Sequence, residues 1–340
     1  MAAHIEDISQ RPSTKAPLLA VENLSITLPT AEGGRASAVR GVDLSIGRAE
    51  IVGLAGESGS GKTLTALSVL GLLPGGASTG GRIHFEGRDL MADGGKGAAA
   101  LRGSDIAMVF QDPMTALHPM LSIGRQMTEH VRYHRGVSQK EADRIAIAML
   151  DRVRIPNPGD AMRRYPHQFS GGMRQRIAIA SALAGGPKLL IADEPTTALD
   201  VTVQAGILRL IETLRRELEL SVLLITHDLG VMSALADRVY VLYADRVAEH
   251  GDRRQVLRHP RHPYTSGLLD ALPHGGGTDH PLTALPGAPP SIGRFPAGCA
   301  FHPRCRFAED ICRAELPEMI TVEPGRAIAC PVDPLREAVA

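Results

Sequence analysis

The sequence predicts an α/β protein with a parallel or mixed sheet at its core, on three observations. Short apolar runs of strand length alternate with helical stretches along most of the chain. Ile207, Ile211, Leu214 and Leu218 share one face of Val201 to Glu219, the pattern of an amphipathic crossover helix laid on a parallel sheet. The apolar run Ile51 to Ala55 passes directly into a glycine-rich turn and then a helix, Thr63 to Leu73.

Taken in order, residues 1–17 read as an N-terminal tail. Glu6, Asp7, Gln10, Arg11 and Lys15 interrupt every apolar run there, so no secretory leader is expected and the chain reads as cytosolic. A β-rich part follows, with strands expected at Leu18 to Leu28, Val39 to Ile46, Glu50 to Ala55, Arg82 to Phe85 and Ile106 to Phe110. From about 112 to 168 helical periodicity takes over, at Gly124 to Arg135 and Gln139 to Val153, which predicts a helical subdomain inserted into the sheet. Strands resume at Lys188 to Ala192, Val222 to Thr226 and Arg238 to Leu242. Past Gly251 the texture becomes breaker-rich, with His259-Pro260, His262-Pro263, Gly275-Gly276-Gly277 and Pro286 to Pro290. The expected organisation is therefore a main domain over 18–258 and a separate extension over 259–340.

Composition excludes several classes. The 37 Lys+Arg balance 37 Asp+Glu over 340 residues, so no overall field draws the chain to nucleic acid or an anionic membrane. Six Phe, five Tyr and no Trp argue against aromatic stacking platforms. No run of 18 apolar residues is long enough to span a bilayer.

The chemistry begins at Gly56-Glu57-Ser58-Gly59-Ser60-Gly61-Lys62-Thr63, which matches G-x-x-x-x-G-K-[ST] between a strand and a helix. Its glycines let backbone N–H groups turn inward onto phosphate oxygens, and the helix N-terminus adds a favourable dipole. Lys62 is placed to reach the β and γ phosphates, and the Thr63 hydroxyl to ligate magnesium. The apolar run Leu189 to Ala192 ends in Asp193 and Glu194, carboxylates costly at a strand tip unless partnered. Asp193 fits a Mg2+ ligand and Glu194 a base that polarises the attacking water, so the two elements together predict ATP or GTP hydrolysis. Ser170-Gly171-Gly172, opening a helix rich in Ile and Ala, reads as a second anion site. Two such sites on separate subdomains cannot readily close on one γ-phosphate within one chain, so a head-to-tail partner is the economical geometry.

With these elements in this order the chain resembles the ATP-binding cassette (ABC) family over nearly its whole length. The resemblance implies the P-loop NTPase fold of that family, with ATP and Mg2+ as cofactors. It places Gln111 in the loop that senses magnesium and joins the subdomains, Asp200 of Thr197-Ala198-Leu199-Asp200 in the loop that crosses to the partner, and His227 of Thr226-His227-Asp228 at the γ-phosphate. Lys62, Gln111, Glu194 and His227 are then the catalytic set. Thr63, Gln111 and Asp193 are the Mg2+ set. The signature turn carries Phe169 and Met173 where the family usually has Leu and Gln, and no aromatic residue stands between Leu28 and Val39 to stack on adenine, which leaves Arg35 or a partner residue to cover the base.

Gln111 to Pro119, Tyr165 to Arg176, His262-Pro263-Tyr264-Thr265, Leu285 to Ser291 and Cys299 with His302-Pro303-Arg304-Cys305 look like the oligopeptide and dipeptide importer subfamily. That implies an ATPase subunit on the cytoplasmic face of the cell membrane. It would pair with a second ABC ATPase subunit, dock on two transmembrane permease subunits and serve an extracytoplasmic substrate-binding protein. Nickel or another small solute is an alternative cargo. A soluble cassette acting on DNA or ribosomes is the different-class alternative, opposed by the single cassette and the neutral charge. Cys299, Cys305, Cys312 and Cys330 are the only cysteines, spaced Cys-x5-Cys-x6-Cys-x17-Cys. The tight pairs of structural zinc sites are missing, and spacing leaves an iron–sulfur cluster, zinc or reduced thiols packed by Phe301, Phe307 and Ile311 open. Some importer subunits with this tail carry a 4Fe-4S cluster, so the resemblance implies one here.

Overall fold

A computed structural model describes residues 16–112, 116–197, 199–272 and 284–336. The expectations for most of the N-terminal tail, for Pro113 to Thr115, for Ala198 and for the Gly275 to Gly277 run lie outside the described residues. The strands are β1 (Leu19–Pro29), β2 (Arg35–Ile46), β3 (Ile51–Ala55), β4 (Ser78–Phe85), β5 (Arg88–Asp89), β6 (Ile106–Val109), β7 (Leu189–Asp193), β8 (Ser221–Ile225), β9 (Arg238–Tyr243), β10 (Arg246–Asp252), β11 (Ile320–Glu323) and β12 (Arg326–Ile328). They form a four-stranded antiparallel sheet, ordered β2-β1-β4-β5, and an eight-stranded sheet, ordered β11-β12-β10-β9-β3-β8-β7-β6.

In the larger sheet β9, β3, β8, β7 and β6 run parallel, and β10, β12 and β11 are added antiparallel. Every residue of β3, β7 and β8 is buried, as expected of parallel strands covered on both faces. The pleat divides their side chains between two cores. Ile51 and Ala55 of β3 join a core with the helices Ile123–Arg135, Gln139–Arg152, Gly171–Ala184 and Val201–Leu218; Val52 and Leu54 join a second core under the antiparallel sheet and the helix Lys62–Val69. Each of the four helices in the first core begins on a side-chain cap: Ser122, Ser138, Ser170 and Asp200 accept from the N–H three residues on. Gly136 in the left-handed region, φ +62°, stops the first of them.

The strands of the parallel sheet and both inserted helices fall within a residue or two of their expected places. β5, β10, β11 and β12 were not expected. β10 and β12 escape a hydropathy reading because Glu249 and Arg326 look like surface residues, whereas both are almost wholly buried and paired at 2.7 Å. Glu249 also accepts the backbone N–H groups of Arg261 and His262. The segment after 259 is therefore not a detached module: it extends the main sheet through β12 on β10. Its breaker-rich texture marks turns, not a loss of contact.

His262, 3% exposed, caps the helix Pro263–Asp270 by accepting the Tyr264 N–H at Nδ1, 3.1 Å away. Burial pushes its imidazole down to about 4 from 6.5, although a backbone hydrogen bond at Ala329 opposes the shift. An unfolded chain takes up this proton near pH 6.5 and the folded chain only near 4. Stability is thus whole above pH 6.5 and is lost as pH falls through that window, at up to about 1.4 kcal/mol per pH unit. Urea unfolding from pH 7.5 to 4.5 should show this slope, and His262→Asn, which keeps a cap acceptor without the titration, should reduce it, leaving the part due to His130, whose imidazole burial likewise pushes down to about 4.

Candidate active site

β3 ends at Ala55, and Gly56 turns the chain out of the sheet at φ +143°. A Cβ there would stand 2.1 Å from the Leu242 carbonyl oxygen, so only glycine lets the loop leave against β9. Gly61, at φ +93°, precedes the helix Lys62–Val69 with no side-chain cap. The first N–H groups of that helix consequently face the loop without an acceptor side chain, the arrangement that binds anions. Lys62 is buried, and its ammonium donates to the carbonyls of Gly56 and Glu57, each at 2.8 Å. Burial pulls its pKa below that of an ordinary lysine, opposed by the charges of Glu194, Asp193 and Glu57.

The acidic pair stands at the end of β7. Asp193 is 5% exposed, and burial raises its carboxyl; the Thr63 hydroxyl bonded to it and the Lys62 charge pull the other way. Glu194 sits at φ +46°, in the left-handed region, with its N–H bonded to Ile225 O at the end of β8. Its Oε2 accepts from Thr197 Oγ1 at 2.7 Å and Gln111 Nε2 at 3.0 Å, and His227 Nδ1 is 3.0 Å from Oε1. Burial tends to raise the Glu194 carboxyl, but the hydrogen bonds of Thr197 and His227 and the charges of His227 and Lys62 outweigh it and hold the group below its usual range. Glu194 is thus a carboxylate aimed by three donors, next to an anion-binding loop, and can take a proton from a water molecule.

The structure brings Gly56 to Thr63, Gln111, Asp193, Glu194 and His227 to one edge of the sheet. Ser170, Gly171, Gly172 and Asp200 form a neighbouring group. Ser170 and Asp200 spend their side chains capping their own helices, and the Ser-Gly-Gly turn backs onto the Leu199 side chain and Val203: a Cβ on Gly172 would lie 2.6 Å from Val203 Cγ1. Arg35 bonds Ser78 Oγ at 2.6 Å and the carbonyls of Thr27 and Gly76. Sequence reasoning missed Thr197, whose hydroxyl holds Glu194. It also missed Tyr264 and Arg304, which reach Glu57 from the C-terminal extension. The Thr197 hydroxyl lies three residues past the carboxylate it binds and could have been suspected; the other two pairings span more than 200 residues and have no local signal.

The four cysteines, with His262, His302, Phe301 and Phe307, line one small cavity in the extension. Burial raises the thiols of Cys299 and Cys305, and that of Cys330 to about 11. Among the described residues no three His, Cys, Asp or Glu side chains are grouped to hold a single metal ion. Phe301 is buried against Tyr243 and Tyr264, whereas Ile311 is 44% exposed and does not pack the lobe.

A phosphate-binding loop beside a paired acidic strand tip, with a capped Ser-Gly-Gly turn on the helical side, defines a nucleotide-hydrolysing cassette. Residues 39–197 match the ABC transporter family and residues 248–312 the C-terminal region of oligopeptide/dipeptide transporters. The chain is 44% identical to the oligopeptide transport ATP-binding protein of Salmonella typhimurium, across 97% of this chain and 98% of that one. It is 45% identical to the dipeptide transport ATP-binding protein of Bacillus subtilis, across 92% and 94%. Among solved structures it resembles cbiO1 of Clostridium perfringens, part of an ABC transporter complex, at 27% identity and a TM-score of 0.61 over 72% of this chain and 92% of that one. A cassette dimer in a post-hydrolysis state with ADP and Pi matches at the same identity and TM-score, over 69% of this chain and 99% of that one. The chain belongs to the ABC transporter family, as an ATP-binding protein of the oligopeptide/dipeptide importer subfamily.

Gly56→Ala should lose ATP binding and at least about 2 kcal/mol of stability, because the new Cβ meets a carbonyl that cannot move without breaking β9. Denaturant unfolding with a nucleotide-binding titration checks both.

Proposed function

We propose that this chain hydrolyses ATP to drive a peptide importer. The observation that carries the reading is the Glu194 carboxylate, held by Thr197, Gln111 and His227 at the mouth of the phosphate loop. Lys62 exchanges its two loop carbonyls for the β and γ phosphates. Glu194, kept ionised, orients the attacking water and accepts its proton, and His227 steadies Glu194 and faces the γ-phosphate. Thr63, Asp193 and Gln111 offer a hydroxyl, a carboxylate and an amide oxygen, hard donors that suit Mg2+, and the Thr63–Asp193 hydrogen bond supports their serving one ion. Magnesium, when bound, offsets charge on the β and γ phosphates.

In this reading residues 18–258 are the motor and 259–340 an extension fastened to it. The exposed Ser170 to Gly172 turn closes over the phosphate site of a second cassette in a head-to-tail pair, and Asp200 crosses at the same interface. No described helix is long and apolar enough to cross a membrane, and the helical subdomain at 112–168 couples the pair to two permease subunits at the cytoplasmic face. An extracytoplasmic binding protein delivers the peptide. Glu194→Gln in the assembled complex should cut hydrolysis by about a hundredfold or more while ATP binding stays within about threefold; undiminished turnover would remove Glu194 from this role.

We further propose that the four thiols hold a 4Fe-4S cluster, supported by their convergence on one cavity. Such a cluster would fasten the lobe by covalent ligation. Protein purified without oxygen should be brown and contain about four irons and four acid-labile sulfides per chain; colourless protein, or zinc in place of iron, would overturn this assignment.

A further inference from the structure

Glu57, the second residue of the phosphate loop, is bonded at all three of its polar groups. Its carbonyl accepts from Lys62 Nζ at 2.8 Å. Its N–H donates to the Tyr264 hydroxyl at 2.9 Å. Its carboxylate accepts both arms of the Arg304 guanidinium, at 2.7 and 3.1 Å. Two of these three partners belong to the C-terminal extension, 207 and 247 residues away in sequence.

These partners are themselves fixed. Tyr264 is fully buried, and the Arg304 side chain is 5% exposed. Arg304 Nε donates to Pro286 O at 2.8 Å, and its guanidinium lies 5.7 Å from the Tyr243 ring centre and 5.9 Å from that of Phe301. A surface ion pair would matter little, but here the guanidinium is buried while the carboxylate is 24% exposed, so the bidentate fork restricts both partners and removing Glu57 leaves a buried charge without compensation. The loop needs such an anchor because Gly56, Gly59 and Gly61 leave its backbone free to turn.

We propose that Arg304 and Tyr264 are positioning residues of the phosphate loop: by clamping Glu57 they set the geometry in which Lys62 and the loop amides receive ATP, so that nucleotide affinity depends on the C-terminal extension. Arg304 is well placed to report on that lobe. Its N–H bonds Phe301 O, it adjoins Cys305, and the turn before it is closed by His302 Nδ1 on Cys299 O at 2.9 Å. The inference rests on reading the loop as the ATP site.

The test uses the full chain for equilibrium binding of a fluorescent ATP analogue and the assembled complex for kinetics. Glu57→Gln and Tyr264→Phe preserve shape, and each should weaken ATP binding and raise KM by about five- to tenfold, with kcat within about threefold. Tyr264→Phe should leave the melting temperature within about 3 °C, whereas Glu57→Gln, which leaves the buried Arg304 charge without compensation, should lower it by more than that. Arg304→Met should weaken ATP binding likewise, Arg304→Lys should recover part of the affinity, and Arg304→Met with Glu57→Gln should lose little more than either alone. Affinity equal to that of the unaltered chain in the shape-preserving variants would overturn the proposal. So would additive losses in the double variant, or a fall in kcat and melting temperature with KM unmoved. If Arg304→Met fails to fold, Glu57→Gln and Tyr264→Phe still decide the matter. An unaltered chain that binds no ATP would instead refute the functional reading.

Discussion

Strand β3 is hydrogen-bonded to a parallel neighbour on each side, Ile51 to Leu54 against Val222 to Ile225 and Val52 to Ala55 against Arg238 to Val241, and the site follows from that constraint. Parallel strands all finish on one edge, because each return must cross the sheet face by way of a helix. The loop after β3, Gln111 after β6, Asp193 and Glu194 at β7, and His227 after β8 are thereby collected in a line although more than 170 residues separate the first from the last. The glycine-rich turn after β3 thus shares one sheet edge with the acids of β7, two strands away, as expected for open α/β sheets, which bind ligands beyond their strands' carboxyl ends.

The same edge imposes its electrostatics. Lys62 and Asp193 are both displaced by burial toward their neutral forms, while Glu194, one residue further out, is brought back to its charged form by Thr197 and His227. Glu194 and then Asp193 oppose the displacement of Lys62, and the Thr63 hydroxyl and then Lys62 oppose that of Asp193. The more accessible carboxylate is the one held ionised. Depth along a single strand tip thus separates a group suited to holding a cation from one suited to moving a proton.

What was legible in the sequence was what depends on neighbours in sequence. The parallel strands are uninterrupted apolar runs because both faces are covered, and the phosphate loop is a contiguous motif whose backbone requirements dictate its glycines. The Gln139–Arg152 helix was legible from its helical period. The outer strands were not, because Glu249 and Arg326 become interior residues only through each other. Thr197, Tyr264 and Arg304 were hidden for the related reason that a polar side chain shows its partner only in three dimensions. The cysteines lie between these cases: their spacing argued against a compact zinc knuckle, but only the fold brings Cys330 alongside the other three.

The short hairpin of β11 and β12 has a colloidal consequence. Without it the sheet would end at β10, a seven-residue strand that carries the buried Val247 and Ala248 and would leave a row of free amide and carbonyl groups alongside, a template for another chain. The hairpin replaces that border with four residues that stop at Pro324, and Glu323 is engaged by Gln255 and Arg326. A segment whose composition suggests an appendage therefore guards the sheet against edge-to-edge growth. That protection restricts how one copy of the chain can meet another as firmly as any built interface.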